Sequence, residues 1–307
     1  MKILIAYDGS ACADAAVEDL RYAGLPREDD VLVVSVAHAG WPPAKHAAFE
    51  EGPFPSPWNA CMKETELLAE RARAHVQFQF PAWKVSSEAL WGDPANILRK
   101  TILRWSPDLV VMGSHGRSAV GRLLLGSVSL DVVHHVPCSV RVVRGLRMAN
   151  DPLRLLIAND GSAEAMAVVD AVARRSWPEG TQARVVSIAE TLMSRVPVLV
   201  PALEGNAYAS DEAFEVAGAA DAREQARLRS VADECAERLQ IRGLDVSAAV
   251  LEGHPRGEVL AEANRWRADT VFVGARGLNA LDRFLLGSVS TAVVAHAHCT
   301  VEVIRQS

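Results

Sequence analysis

The 307-residue sequence has little of what marks secreted, membrane or nucleic-acid-binding proteins. Its five cysteines are an odd number, and none of them forms a CxxC pair. No apolar run approaches the roughly 20 residues that span a bilayer. Acidic residues outnumber basic ones, 38 to 32, for a formal net charge of −6. We therefore expect a cytoplasmic protein with reduced thiols, no leader, no membrane segment and no nucleic-acid partner, since a phosphate backbone needs a basic surface.

Several motifs that bind or process nucleotides are also missing. There is no GxxxxGK[ST] segment, so the lysine that contacts phosphates in P-loop enzymes is absent. No GxGxxG follows the first predicted strand, which argues against a nicotinamide dinucleotide. The HIGH, KMSKS and SGGxDS motifs of adenylating enzymes are absent too. Histidines 134 and 135 close a predicted helix, where they complement its dipole, so we predict no metal site built from side-chain clusters.

The sequence does contain an internal repeat. KILIAYDGS at 2–10 corresponds to LRLLIANDGS at 153–162, and this aligns Asp8 with Asp160 at an offset of 152. Both segments read as a buried strand that ends in Asp-Gly-Ser. Self-similarity over such a length indicates duplication.

A longer match follows at an offset of 161. GSHGRSAVGRLLLGSVS at 113–129 corresponds to GARGLNALDRFLLGSVS at 274–290, with ten of seventeen positions identical. The change of offset places nine extra residues in the second half, after its second strand. We therefore predict two repeated domains, 1–148 and 151–307.

Strand and helix patterns alternate through each half. Continuous apolar runs such as Val31–Val34 are typical of strands that are buried on both faces of a parallel sheet. Their alternation with helices predicts an α/β protein made of two doubly wound parallel-sheet domains, Rossmann-like or flavodoxin-like. Ligands bind such sheets at the carboxyl ends of the strands, where the strand order reverses. For the first and fourth strands to meet there, the order must be 3-2-1-4-5.

The predicted elements of the first half are strands near 2–7, 30–37, 84–90, 108–113 and 138–144, and helices near 11–23, 60–79, 94–105 and 127–135. In the second half, a long amphipathic helix is predicted over 221–242. Its residues expected to face the sheet are Ala222, Ala226, Val231 and Leu239. Segments 40–59 and 192–220 are predicted as loops, either lids over a pocket or plain connections.

The repeated loop has the features of an anion site. Gly113 and Gly116 let the backbone approach a ligand where a Cβ would collide. Gly126 and Ser127 open a helix whose first N–H groups and positive dipole end suit a phosphate. Asp8 reaches the same edge, where it could bond a ribose hydroxyl or hold a divalent cation. The alternative is that both segments are only turns and helix caps.

The spacing Gly-x2-Gly-x9-Gly-Ser, together with Asp-Gly-Ser after the first strand, resembles the universal stress protein family in its tandem form. Gly92-Asp93-Pro94 and Pro137-Cys138 also look like that family. The resemblance implies the branch that binds ATP, or ADP or AMP, with Mg²⁺ bridging the phosphates near the two aspartates. It places these residues around an adenine nucleotide: Asp8, Val34, Gly113, His115, Gly116, Gly126, Ser127 and Ser129 in the first half, and Asp160, Val186, Gly274, Arg276, Gly277, Gly287, Ser288 and Ser290 in the second.

The resemblance further implies a nucleotide-dependent role in stress response or regulation. A slow ATPase or another nucleotide-processing enzyme on the same fold stays open, as does an interaction scaffold with vestigial sites. The family pairs through its last strands, here 138–144 and 299–305, which predicts a pseudo-symmetric domain pair with surface left for a homodimer. The sequence names no protein partner.

Overall fold

A computed structural model describes residues 1–38, 57–116, 125–147, 151–190, 211–277 and 286–306. Within them, ten strands form one sheet: β1 Lys2–Ala6, β2 Asp30–His38, β3 Lys84–Gly92, β4 Leu109–Gly113, β5 Ser139–Val143, β6 Arg154–Ala158, β7 Gln182–Ala189, β8 Asp245–Glu252, β9 Thr270–Gly274 and β10 Thr300–Ile304. The helices are α1 Ala11–Asp19, α2 Pro57–Gln79, α3 Pro94–Trp105, α4 Ser127–His135, α5 Ala163–Ala173, α6 Asp211–Gln240, α7 Pro255–Arg265 and α8 Ser288–His296.

The strand order is β3-β2-β1-β4-β5-β10-β9-β6-β7-β8. Each half therefore has the order 3-2-1-4-5, so the predicted α/β fold class and its strand order are confirmed. Neighbouring strands within each half are parallel, and only β5 and β10 pair antiparallel among the described strands. The carboxyl ends of the strands consequently lie at one edge of the sheet in the first half and at the opposite edge in the second half. The predicted domain boundary, between 148 and 151, includes residues outside the described part of the chain and stays a prediction.

The two faces of the sheet are packed differently. On one face, α3, α4, α7 and α8 cover a single apolar core that runs through both halves, with Val140, Val142, Val301 and Val303 at the β5–β10 junction. On the other face, α1 and α2 cover one core and α5 and α6 cover a second. The junction on this second face is filled by charged side chains. Apolar burial on the first face therefore joins the halves continuously.

Caps decide where the helices that follow the Asp-Gly-Ser turns begin. The Ser10 hydroxyl accepts a bond from Ala13 N at 3.2 Å before α1, and the Ser162 hydroxyl accepts one from Ala165 N at 3.1 Å before α5. Each satisfies one of the N–H groups that a helix start leaves unpaired. These serines hold their turns at the carboxyl-end edge of the sheet.

The long helix and the loops before it differ from the prediction. Helix α6 begins at Asp211, so the predicted loop 192–220 is wrong over 211–220, where alanine and glutamate favour helix. Helix α2 begins at Pro57, a residue favoured in a first helical turn, so the loop 40–59 is wrong over 57–59. Residues 39–56 and 191–210 lie outside the described residues.

The buried face of α6 is shifted from the predicted one. Ala222 and Ala226 are exposed, although Val231 is half-buried and Leu239 is buried as expected. The buried residues of α6 are Leu228, Ala232, Cys235, Ala236 and Leu239. Alanine favours helix on any face, so its position alone does not indicate burial. Helix α1 is also shorter than the predicted 11–23 and ends in a 3₁₀ turn.

We predict that Phe272→Ala lowers the free energy of unfolding by about 3–5 kcal/mol, because the side chain is fully buried and packs edge-on against Trp177. Urea unfolding at neutral pH measures the loss. The matched control is Phe78→Ala, since Phe78 is 85% exposed and should change stability by less than about 0.5 kcal/mol. Equal losses for the two variants would contradict the packing described here.

Candidate functional site

The Asp-Gly-Ser turn and the glycine loop of the first half meet at the carboxyl-end edge of the sheet. Asp8 Oδ1 accepts a bond from Ser10 N at 3.0 Å, which shapes the turn after β1. A Cβ added at Gly116 would lie only 2.7 Å from Asp8 Oδ2. The Ser10 hydroxyl donates to His115 O at 3.3 Å. Two segments about a hundred residues apart in sequence are therefore in direct contact.

The second half repeats this arrangement. Asp160 Oδ1 accepts a bond from Ser162 N at 2.9 Å, and a Cβ added at Gly277 would lie 2.5 Å from Asp160 Oδ2. In both halves a carboxylate thus occupies the space that a side chain on the loop would need. A larger residue at either position would force the aspartate carboxylate to move, because real Cβ atoms essentially never lie so close to another atom.

The other loop glycines allow close packing of the backbone. A Cβ at Gly113 would lie 2.7 Å from the backbone carbon of Cys12. A Cβ at Gly274 would lie at least 3.2 Å from its nearest neighbouring atom. Gly126 N donates to Ser114 O at 2.8 Å, and Gly287 N donates to Ala275 O at 2.7 Å. These bonds fold the loop back on itself and bring the start of a helix to the sheet edge. The loop interiors, 117–124 and 278–285, lie outside the described residues.

The helices that leave these loops begin without a side-chain cap. The N-cap residues of α4 and α8 are Gly126 and Gly287, which make no side-chain cap bond. Ser127 and Ser288 are the first helical residues. This contrasts with α1 and α5, whose starts are capped by serine. The first-turn N–H groups and the positive dipole end of α4 and α8 are of the kind that attracts anions.

The hydroxyls of Ser129 and Ser290 bond the ends of the fourth strands. The Ser129 hydroxyl donates to Gly113 O at 2.9 Å, and the Ser290 hydroxyl donates to Gly274 O at 2.5 Å. Both residues are only 4% exposed. Each serine ties the first turn of its helix to the end of the fourth strand. Their described contacts are therefore with the protein backbone and fix the position of the helix start.

Val34 and Val186 lie on β2 and β7, beside the strands that carry the aspartates. Val34 O accepts a bond from Tyr7 N, and Val186 O accepts one from Asn159 N, each at 2.9 Å. Both valine side chains are buried in the core shared by the two halves. The structure therefore brings the backbones of Val34 and Val186 next to the residue that precedes each aspartate.

One matched position differs in charge between the halves. Burial, and secondarily the Arg144 guanidinium, lowers the pKa of His115, whose Nδ1 lies 2.9 Å from the Ser114 hydroxyl. His115 is therefore neutral at pH 7. Its counterpart Arg276 is cationic, with Nη2 3.7 Å from Glu164 Oε1. The second half gains a further cation because Arg227 Nη2 donates to Asp160 O at 3.4 Å.

Two arginines that sequence reasoning missed each bond the end of a helix in the other half. Arg144 Nη2 donates to Val294 O and, at 3.0 Å, to Ala295 O in the last turn of α8. Arg305 Nη2 donates to Val133 O at 2.8 Å, near the end of α4. A guanidinium at a helix C-terminus neutralises the negative dipole end. Their equal offset of 161 residues, directly after the last strand of each half, was the available signal.

Comparisons with known proteins agree with this architecture. The model described as "Universal stress protein family" matches residues 1–144 and 153–305. A universal stress protein of Mycobacterium tuberculosis is 28% identical over 317 residues, covering 99% of this chain and 97% of its own. One from Thermus aquaticus is 33% identical over 142 residues, covering 46% of this chain and 97% of its own.

The fold also matches a solved structure over its full length. The crystal structure of a universal stress protein from Archaeoglobus fulgidus aligns with a TM-score of 0.63 at 19% identity, covering 100% of this chain and 96% of that one. At this identity the match shows the fold alone. None of the helices in the described part of the chain has both the length and the apolar character needed to cross a membrane.

Tyr7, the residue before Asp8, provides a pH-dependent prediction. Burial, and then its 2.6 Å bond to Asp14, raises the pKa of Tyr7 to about 12. In the unfolded chain the phenol ionises near its ordinary pKa of about 10, so stability that is present below pH 10 is lost as the pH rises to about 12. This contribution is roughly 2–3 kcal/mol.

We expect Tyr7→Phe to cost about 1 kcal/mol at pH 7, from the lost hydrogen bond, and to remove this alkaline loss. The difference in stability between wild type and variant should be constant from pH 7 to 9, then shrink, and reverse in sign toward pH 12, because the alkaline loss of the wild type exceeds the cost of the substitution. Urea titrations across this range measure both curves. Curves that remain parallel up to pH 12 would contradict the prediction.

Proposed function

The chain belongs to the universal stress protein family, in tandem form, and from this premise we propose that it binds an adenine nucleotide, ATP foremost, at the carboxyl-end edge of each half. The observation that carries the proposal is the repeated contact between an aspartate and a loop glycine beside an uncapped helix start. Such a start binds phosphate without any lysine, because its N–H groups and dipole supply the attraction. This is consistent with a chain that lacks a P-loop.

The roles of the residues follow from their placement. First-turn N–H groups at Gly126–Ser127 and Gly287–Ser288 would hold phosphates. Val34 and Val186 would support the adenine, while Gly116 and Gly277 keep the loop close enough for His115 and Arg276 to reach the ligand. Ser129 and Ser290 act as positioning residues, because their hydroxyls hold each helix start on its strand.

Asp8 and Asp160 complete each site. Carboxylate oxygens are ligands that Mg²⁺ accepts, and this ion is usually shared with substrate phosphates. A carboxylate beside a phosphate-binding helix start therefore fits a bridging cation, and each aspartate would otherwise accept a bond from a ribose hydroxyl. Bound Mg²⁺ would neutralise phosphate charge. Asp8 and Asp160 lie at opposite edges of the sheet, so each site binds its nucleotide separately. We propose that nucleotide occupancy regulates a stress-related role of the chain.

The test is titration calorimetry of the full chain with Mg²⁺ and ATP, together with mass spectrometry of the denatured protein for copurified nucleotide. We expect two equivalents of ATP to bind per chain, and more weakly in EDTA. Absence of both binding heat and copurified adenine nucleotide would overturn the proposal.

Two variants assign the sites. Gly116→Ala places a methyl group against Asp8, and Gly277→Ala does so against Asp160, so each should weaken one of the two sites by at least about tenfold, roughly the worth of one charge-assisted bond. The matched control is Gly218→Ala on α6, where a Cβ meets open space and binding should not change. Loss of binding in the control, or none in either test variant, would contradict the assignment.

The enzymatic alternative has its own measurement. If the bound ATP is hydrolysed through the aspartates, Asp8→Ala with Asp160→Ala should abolish phosphate release. Release that is unchanged in this double variant would exclude catalysis by those carboxylates. A chain that binds ATP without releasing phosphate above the buffer rate would be a nucleotide-holding protein, as proposed.

A further inference from the structure

The junction between the two halves contains a buried ion pair at its centre. In the antiparallel pairing of β5 with β10, Arg141 lies opposite Glu302, with Val140–Val303 and Val142–Val301 as the flanking pairs. Arg141 Nη1 donates to Glu302 Oε2 at 2.9 Å, and both side chains are fully buried. The two residues are also separated by 161 positions, the offset of the repeat. They are therefore equivalent residues of the two halves, facing each other on the pseudo-twofold axis.

Other polar and charged residues on the same face of the sheet also bond to Arg141 and Glu302. Arg141 Nε donates to Asp19 Oδ2 at 2.6 Å, and its Nη2 donates to the Thr270 hydroxyl at 3.2 Å. Glu302 accepts a second pair of bonds from Arg175, one of them at 2.9 Å. The order Asp19–Arg141–Glu302–Arg175 thus alternates in sign, and each half contributes one anion and one cation. A buried pair is favourable only when its geometry and its remaining bonds are this complete.

Because Arg141 and Glu302 lie on the pseudo-twofold axis, their charges determine which strands can pair at this junction. In any interface with twofold symmetry, a residue on the axis faces its own copy. A first half paired with another first half would bury Arg141 against Arg141, and two second halves would bury Glu302 against Glu302. The first pairing would also place Leu109, the equivalent of Thr270, where Arg141 now finds a hydroxyl. Opposite charges meet on the axis only when unlike halves pair.

We propose that the Arg141–Glu302 pair is a recognition element that makes the two halves select each other and reject a second copy of themselves. The apolar flanking valines are nearly the same in both strands and do not distinguish the pairings. The charged pair does, because like charges without water cost far more than mismatched apolar contacts. The edge of β5 therefore fits a strand with an acidic residue at the axis position and excludes another β5.

The experiment uses two charge reversals in the full chain, Arg141→Glu and Glu302→Arg. Alone, each variant has like charges on the axis, and we expect its melting temperature to fall by on the order of 10 °C, with no dimer formed. Unfolded and refolded together, the two variants offer opposite charges only between chains. We expect a one-to-one heterodimer in native mass spectrometry, with only part of the lost melting temperature recovered, because Asp19 and Arg175 face like charges at one of its two junctions.

The control is the exposed ion pair within the first half, Arg104 with Glu88. The variants Arg104→Glu and Glu88→Arg should keep the oligomeric state of the wild-type chain, alone and mixed, with little change in melting temperature. If a junction variant cannot be purified alone, co-expression of the two with different tags replaces refolding, and soluble complex should appear only in the pair. Homodimers of either junction variant, or no heterodimer on mixing and co-expression, would overturn the proposal.

Discussion

The antiparallel contact between β5 and β10 is the constraint on which the rest of the molecule depends. It joins two five-stranded sheets of identical order into one sheet, and it reverses the direction of every strand beyond it. The shared apolar core on one face and the charged residues on the other both meet at this contact. Because the reversal sends the carboxyl ends to opposite edges, it also decides that the two candidate sites are far apart.

Each site is built chiefly from backbone, with side chains that hold the backbone in place. The glycines remove atoms where Asp8 and Asp160 need room, and the buried serines anchor α4 and α8 to the strands. Such a site depends little on the chemistry of individual side chains. This explains why the halves differ at His115 and Arg276 yet keep the same geometry at the turn, the loop and the helix start.

Sequence reasoning reached the strand order and the meeting of Asp8 with Gly116, because parallel strands bring their carboxyl ends to one edge and the repeat doubled each signal. It missed the start of α6 because a helix of small and polar residues lacks a clear periodic stripe. It did not reveal the bond from the Ser129 hydroxyl to Gly113 O, since a motif does not show where a hydroxyl points. The Arg141–Glu302 pair was out of reach, because a charge within a valine-rich strand indicates nothing until the cross-strand register is known.

Helices α4 and α8 span the sheet from one edge to the other, each starting in its own half and ending under an arginine of the other. Neither repeat is therefore a complete unit once cut from its neighbour. The same dependence limits how such a gene can change. A gene conversion that copied the segment after one GSVS onto the segment after the other would carry position 141 or 302 with it. The two repeats would then match, but like charges would face each other between β5 and β10. The repeats therefore cannot become identical at these positions without losing the ion pair.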